Sequence, residues 1–365
     1  MRVRVVGAAV ALLLLACSRS GEPEGRGGAE TSVGGSNSSG GKSPDNGVVA
    51  GASSTGGQDG GSGSLPQPRY HPPQGFEDCK HAEVKADCQN GWCRLPPSCF
   101  VMGSPEDEWR RGRSTETQVA VTLTHRIEIQ QRELTRAEWE SITTTPAPGP
   151  ENCTLPDCPV AMVSWWEAIH AANLLSAQKG LPACYAPMGC TGTLGKDLTC
   201  TGVQDPDKKV YECEGYRLPT RAEAEYAARA GTISTFYSGD ITPFQDITIC
   251  NIDPALELIG WYCGNSGGRA HPGGELLPNG FGLYDMIGNL GEWNNDQQHF
   301  SSSEGGMNPG GKVEWGAERL RFSPQYDDKN SIARPAGLLS APWDARGNQG
   351  GFRLVRTLDP NSKQE

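Results

Sequence analysis

The chain has 365 residues, of which 48 are Gly and 27 are Pro; together they fill about a fifth of it, against an ordinary share of roughly 12%. With 32 basic and 43 acidic residues the net charge is −11, so we expect no nucleic-acid partner. No apolar run reaches the roughly 18–20 residues that span a bilayer, which excludes a polytopic membrane protein, and the Gly/Pro content excludes one compact domain of the whole length.

The N-terminus has the features of a secretion signal. Arg2 and Arg4 precede a short apolar stretch, and this stretch ends in Leu-Leu-Ala-Cys17, which resembles the lipobox of bacterial lipoproteins. The resemblance implies a signal peptide over 1–17 and acylation of Cys17, palmitate included. Two or three acyl chains anchor a protein stably. We therefore predict attachment to the cell membrane or outer membrane, outside the cytoplasm; an ordinary signal peptide with a chance cysteine is the alternative.

The segment that follows lacks the residues of a core. From Ser18 to Arg69 it has no aromatic residue, no Ile, no Met and a single Leu, Leu65. Such a segment cannot bury enough apolar surface to offset the entropy of ordering it. The composition predicts a disordered linker over 18–75.

Twelve further cysteines lie between Cys79 and Cys263. An even number in an exported protein favours disulfides. Cys153 and Cys158 form the most local candidate pair, and Cys250 with Cys263 flanks another short segment, whereas the other pairings stay open. A Cys-rich extension is predicted over 76–99. Zinc is an alternative for its four cysteines, but they have no C-x-x-C spacing and no paired His follows them.

Three helix starts are visible as capping boxes, in which a hydroxyl and a carboxylate three residues later satisfy backbone amides reciprocally. The pairs are Thr135 and Glu138, Ser164 and Glu167, and Thr220 and Glu223. Gly180 and Gly231 are the predicted ends of the second and third helices. Alternating residues predict strands over 119–124 and 127–129, and a last strand is predicted over 351–355. We expect little helix and much loop.

Several blocks, taken in order, resemble the formylglycine-generating enzyme (sulfatase-modifying factor) family. The chain reads FVMGSPEDE, RELTRAEW, CPVAMVSWWEAIHAANLLS, GYRLPTRAEAEYAARAGT, LPNGFGLYDMIGNLGEW and GGFRLVRT. The resemblance implies an α+β domain over 100–358, with the family fold related to C-type lectins and little regular secondary structure. A short tail over 359–365 would follow it.

The resemblance also implies what the active centre requires. Enzymes of the family hold copper(I) on two thiolates near the C-terminus, and a soft monovalent metal prefers such ligands. Between Trp293 and Glu365 this chain has no cysteine. The six histidines show no paired metal spacing that could replace the thiolates. We therefore predict no catalytic residue and no copper.

Structural calcium is the metal that the resemblance does imply. Matching residue by residue places one site at Asp285, Gly288, Leu290 and Glu292, and a weaker one at Asn251, Ile252, Asn265 and Gly267. Carboxylate and carbonyl oxygens suit calcium. The alternative is that Asp285 is a turn residue and Glu292 a hydrogen-bonded core carboxylate.

Three functions remain open on the sequence. The preferred one is a tethered recognition or structural module without oxidase activity, which binds an extracytoplasmic protein or ligand of unknown identity. The second is an active oxidase that converts a sulfatase cysteine to formylglycine. The third is a lectin-fold module whose divergent region 296–349 binds a ligand. The missing cysteines argue against the second.

Overall fold

The computed structural model describes residues 72–112, 116–149, 152–204, 209–297, 305–310, 318–337, 339–347 and 350–358. The predicted signal peptide with Cys17, the linker up to residue 71 and the tail 359–365 lie outside these residues. None of the helices in the described part of the chain is long and apolar enough to cross a membrane.

Three α-helices occur in the described residues, and each begins at a predicted capping box. They are α1 (Arg136–Thr143), α2 (Trp165–Gln178) and α3 (Arg221–Arg229). In all three, the hydroxyl accepts from the amide of the glutamate three residues later, whose carboxylate accepts from the N-cap amide. The left-handed residue that ends α3 is Ala230, one position before the predicted Gly231.

The strands are short, as the loop-rich composition predicts. In chain order they are β1 (Cys88–Gln89), β2 (Trp92–Leu95), β3 (Ser98–Met102), β4 (Val119–Leu123), β5 (Arg126–Gln130), β6 (Pro187–Met188), β7 (Gly202–Val203), β8 (Tyr216–Arg217), β9 (Gly291–Gln297), β10 (Gly306–Met307), β11 (Glu318–Phe322), β12 (Leu339–Pro342), β13 (Gly350–Gly351) and β14 (Val355–Leu358). The predicted last strand over 351–355 is divided between β13 and β14, with Phe352, Arg353 and Leu354 between them.

The largest sheet joins the two ends of the domain. Its strand order is β1-β2-β5-β14-β8, and all its neighbours are antiparallel. The Cys-rich segment predicted as an extension over 76–99 therefore supplies strands to the sheet, because β2 pairs with β5 along its whole length. A second sheet has the order β12-β11-β9-β13, in which β9 and β13 run parallel.

Two apolar clusters hold these layers together. One packs α3 against β3, β4 and β5, with Tyr226 and Phe281 at its centre. The other packs α2 against β9 and the segment around Phe352, with Trp165 and Trp293 fully enclosed. Both faces of β9 are covered, since each of its seven residues is buried. The strand is nevertheless polar, so its side chains need partners in the interior.

Six disulfides use all twelve cysteines between Cys79 and Cys263. The pairs are Cys79–Cys99, Cys88–Cys93, Cys153–Cys158, Cys184–Cys213, Cys190–Cys200 and Cys250–Cys263. The four cysteines of the predicted extension, Cys79, Cys88, Cys93 and Cys99, thus form two disulfides, which excludes the zinc alternative in this structure. Cys79–Cys99 ties the start of the described chain to β3.

Candidate functional site

A group of buried carboxylates lies where the loop before β9 meets the chain after β5. Glu133 accepts hydrogen bonds from the Asn289 side chain at 2.6 Å and from the Leu290 amide at 2.9 Å. Its side chain is enclosed. Burial, with the negative charges of Asp285 and Glu292, raises the pKa of Glu133 well above its usual value.

Arg353 is the cation of this group. Its Nε donates to the Glu292 oxygens at 2.9 and 2.8 Å, and its Nη2 donates to one of them at 2.6 Å. The same Nη2 reaches the carbonyls of Tyr284 and Asp285. Both partners of the ion pair are about 98% buried. Burial alone would lower the pKa of Arg353, but Glu292, Glu133 and Asp285 together outweigh it and the pKa is raised.

Of the two carboxylate oxygens of Asp285, one accepts a hydrogen bond and the other has no hydrogen-bond partner among the described residues. Its backbone is left-handed, with φ of 52°, and its Oδ2 accepts from the Gly274 amide at 2.7 Å. Its Oδ1 is buried and has no hydrogen-bond partner among the described residues. Burial raises the pKa of Asp285 to about 6, against the opposing effects of the Gly274 amide and Arg353.

These observations test the first predicted calcium set. Three carboxyl groups, Glu133, Asp285 and Glu292, lie near one guanidinium, which pairs with Glu292, and without a further cation burial favours the neutral forms of Glu133 and Asp285. The orphaned Asp285 oxygen suits a hard cation. Glu292 is already engaged by Arg353, so its share in a cation site is smaller than the sequence implies. The group fits calcium best at Asp285.

The other two members of that set, Gly288 and Leu290, make backbone hydrogen bonds beside the group. The Gly288 carbonyl lies 3.3 Å from the Ser323 hydroxyl, and the Gly288 amide donates to the same oxygen at 2.7 Å. The Leu290 amide is held by Glu133.

Sequence reasoning missed Glu133 and Arg353. Each has a sequence feature that could have indicated a buried charge. Glu133 precedes the buried Leu134, and Arg353 lies between the buried Phe352 and Leu354.

The second predicted set does not fit calcium. It contains no carboxylate, and the Asn265 side chain is used within its own turn, accepting from the Tyr262 amide and donating to the Gly260 carbonyl. The Asn251 amide donates to the Asp246 carbonyl, and Ile252 is 59% exposed. Gly267 takes a left-handed turn.

One other group of metal-ligating side chains occurs in the described residues. His170, Cys190 and Cys200 place their ligand atoms within 4.8 Å of one another. The two sulfurs are bonded to each other, so they are not thiolates. His170 Nδ1 donates to the Trp166 carbonyl of the preceding helical turn.

An arginine–tryptophan face lies where α2 packs against β9, β11 and the segment after β12; its members are Trp165, Trp166, Trp293, Arg319, Arg321 and Trp343. The Arg319 guanidinium lies 4.4 Å from the Trp165 ring centre and 5.9 Å from that of Trp343. Arg321 lies 4.9 Å from the Trp293 ring centre. Such stacking orients a guanidinium and leaves its edge for hydrogen bonding.

Comparison with known proteins agrees with this architecture. Residues 81–358 match the sulfatase-modifying factor enzyme 1-like domain. The chain belongs to this family. The matched range begins at His81, before the predicted boundary at Phe100, which agrees with the place of β1 and β2 in the largest sheet.

Two curated relatives share part of this sulfatase-modifying factor domain. The chaperone protein LppX of Paenibacillus barcinonensis is 28% identical over 216 residues, which cover 51% of this chain and 67% of that protein. The formylglycine-generating enzyme of Mycobacterium tuberculosis is 41% identical over 98 residues, 24% of this chain. That match spans only 30% of the enzyme's length.

Solved structures share the fold. Treponema denticola variable protein 1 superposes with a TM-score of 0.57 at 22% identity, covering 73% of this chain and 94% of its own. PvdO from Pseudomonas aeruginosa gives 0.56 at 24% identity, with 76% and 99% covered. These likenesses confirm the predicted α+β, C-type-lectin-related fold.

Proposed function

We propose that the protein is an exported, lipid-anchored recognition or structural module of the sulfatase-modifying factor family that lacks the copper–thiolate oxidase centre. The observation that carries the proposal is that all twelve cysteines of the domain are paired in disulfides. A disulfide sulfur is neither the nucleophile nor the metal ligand that a thiolate is. The last cysteine of the chain, Cys263, precedes the region where the family's thiolates are expected.

The test of this proposal is an oxidation assay on the intact protein. The full chain is incubated with a sulfatase-motif peptide, copper and oxygen, and the peptide is examined by mass spectrometry. We expect no aldehyde product, because no free thiol is present in the described residues to hold copper(I). The Mycobacterium tuberculosis enzyme under identical conditions is the positive control. Formation of the aldehyde by this protein would overturn the proposal.

A binding role is supported by two further observations. The relative from Paenibacillus barcinonensis is named a chaperone protein, a role that acts by binding other proteins. Two members of the arginine–tryptophan face, Arg321 and Trp343, lie in the divergent region 296–349 and are only partly buried. Cationic and aromatic groups of this kind are enriched in binding surfaces. We assign the recognition role to the edge of the face that these two residues form. Its partner is an extracytoplasmic protein or ligand.

The membrane anchor is tested at its own residue. Cys17→Ser should move the protein from the membrane fraction to the soluble exported fraction, because acyl chains can no longer attach. Fractionation followed by immunoblotting measures the change. Ser18→Ala, one position along, is the matched control and should stay with the membrane. Full retention of Cys17→Ser in the membrane fraction would show that the anchor is elsewhere.

We further propose a structural calcium ion at Asp285, with oxygens of the Gly288 and Leu290 backbone and of Glu292 completing its surroundings. The support is the excess of carboxyl groups over guanidinium groups in the buried group, and the Asp285 oxygen that has no partner among the described residues. Calcium supplies charge compensation there and takes no part in a reaction.

A further inference from the structure

Five of the six buried arginines in the described residues are paired with glutamates. These five make ion pairs at 2.5–2.9 Å: Arg217 with Glu223, Arg221 and Arg229 with Glu225, Arg334 with Glu108 and Glu116, and Arg353 with Glu292. This pattern follows from the cost of removing a charge from water without a partner. Arg321 is only partly buried, and no carboxylate in the described residues lies within ion-pair distance of it.

The surroundings of Arg321 leave one edge of the guanidinium open. It projects from β11 opposite Trp293 on β9 and lies over that ring. Its Nε is enclosed without a partner, whereas the two Nη nitrogens are not enclosed. A side chain at Gly350 would collide with Nη2, so the glycine makes room for the guanidinium.

The charges around Arg321 favour an anion. Burial lowers the pKa of Arg321, and the more distant Asp328 carboxylate only partly opposes this effect. Asp328 is itself used by the amide and side chain of Gln325. Glu167, which lies on α2 beside Trp166, forms an ion pair with Arg346 at 2.8 Å. The Arg319 guanidinium adds a second positive charge on the same strand, two residues away.

We propose that Arg321, held on Trp293, is a binding subsite for an oxyanion group, a carboxylate, sulfate or phosphate carried by the ligand of this module. The two Nη nitrogens present parallel donors, and charge-assisted bonds of this kind are short and strong. A tryptophan below the guanidinium fixes its plane. The inference rests on the proposed recognition function and names the chemistry of the ligand that it binds.

Anion titration of the full chain tests this subsite. Tm is measured against increasing sodium acetate, sulfate and phosphate, each compared with sodium chloride at equal ionic strength. We expect a saturable Tm rise of about 2 °C or more with at least one oxyanion. Acetate alone would identify a carboxylate ligand, and sulfate or phosphate alone a tetrahedral one. Saturation separates binding from the general stabilisation that sulfate gives by exclusion from protein surfaces.

Two variants make the result specific. Arg321→Gln should lose the saturable response while keeping or raising Tm in chloride, because it removes a partly buried cation that has no carboxylate partner among the described residues. Arg126→Gln makes the same charge change at an exposed position of β5 and should respond like the unchanged protein. A response retained in Arg321→Gln, or no response to any oxyanion in the unchanged protein, would overturn the subsite. The oxidase assay is independent of these outcomes, so either proposal can fail alone.

Discussion

Arg353→Met should lower the free energy of unfolding by about 3–5 kcal/mol, the usual effect of breaking a buried ion pair. The substitution leaves Glu292 without its guanidinium in a space that also holds Glu133 and Asp285. Three carboxylates would then face each other with no cation from the protein. Urea unfolding followed by circular dichroism measures the change, and guanidinium chloride serves if the urea transition is incomplete.

Arg356→Met is the control for this experiment. Arg356 also pairs with a glutamate, Glu128 at 2.7 Å, but its side chain is 25% exposed. Partly exposed pairs contribute about 0–1 kcal/mol. The two variants remove the same group three residues apart, and they compare an enclosed ion pair with a partly exposed one whose glutamate keeps Arg94 at 3.6 Å. Equal losses would show that the enclosed ion pair is worth no more than the exposed one.

Removal of calcium should lower Tm, and its return should restore it. Without a cation, one Asp285 oxygen has no partner among the described residues, and burial opposes the ionisation of Asp285 and Glu133; a bound calcium would compensate these carboxylates. Calcium at 100 times its dissociation constant should stabilise the fold by about 2.7 kcal/mol. The measurement is a Tm series in chelator, calcium and magnesium, with elemental analysis of the purified protein. Magnesium should substitute poorly, because it requires a smaller octahedral site.

Asp285→Asn is the variant that tests the calcium site most directly. It keeps the size of the side chain, removes one charge and leaves the Arg353 ion pair intact. Glu292→Gln is less informative, because it breaks that ion pair whether or not calcium binds. We expect Asp285→Asn to lose the response to chelator. A Tm of the unchanged protein that is indifferent to chelator, with no bound calcium, would make Asp285 a turn residue and Glu292 a core carboxylate.

The helices could be predicted from sequence because their signals are local. Each capping box spans four residues, and all three begin a helix at the predicted residue. The disulfide pairing was not predictable in the same way. Cys184 passes over two nearer cysteines to join Cys213, and the Cys190–Cys200 bond closes the hairpin of β6 and β7 inside that loop. That choice depends on strand pairing, which spacing alone does not reveal.

The buried charged group was only partly predictable for the same reason. Asp285 and Glu292 lie in one motif and were selected together. Glu133 and Arg353 come from segments more than 60 residues to either side, and only the folded chain brings them to the loop. The sequence alone did not single out Arg321. An arginine in a strand is common, and only the structure shows that this one has no carboxylate within ion-pair distance among the described residues.

The position of β14 sets the order in which the domain can assemble. Among the described strands β14 is the last in chain order, yet it lies between β5 and β8 and not at an edge. Val355 faces Ile129, so the contact closes more than 220 residues of chain, and such distant pairings fold slowly. Until β14 arrives, one side of β5 is an open edge able to pair wrongly. A chain cut before Val355 would therefore lose the middle of its largest sheet.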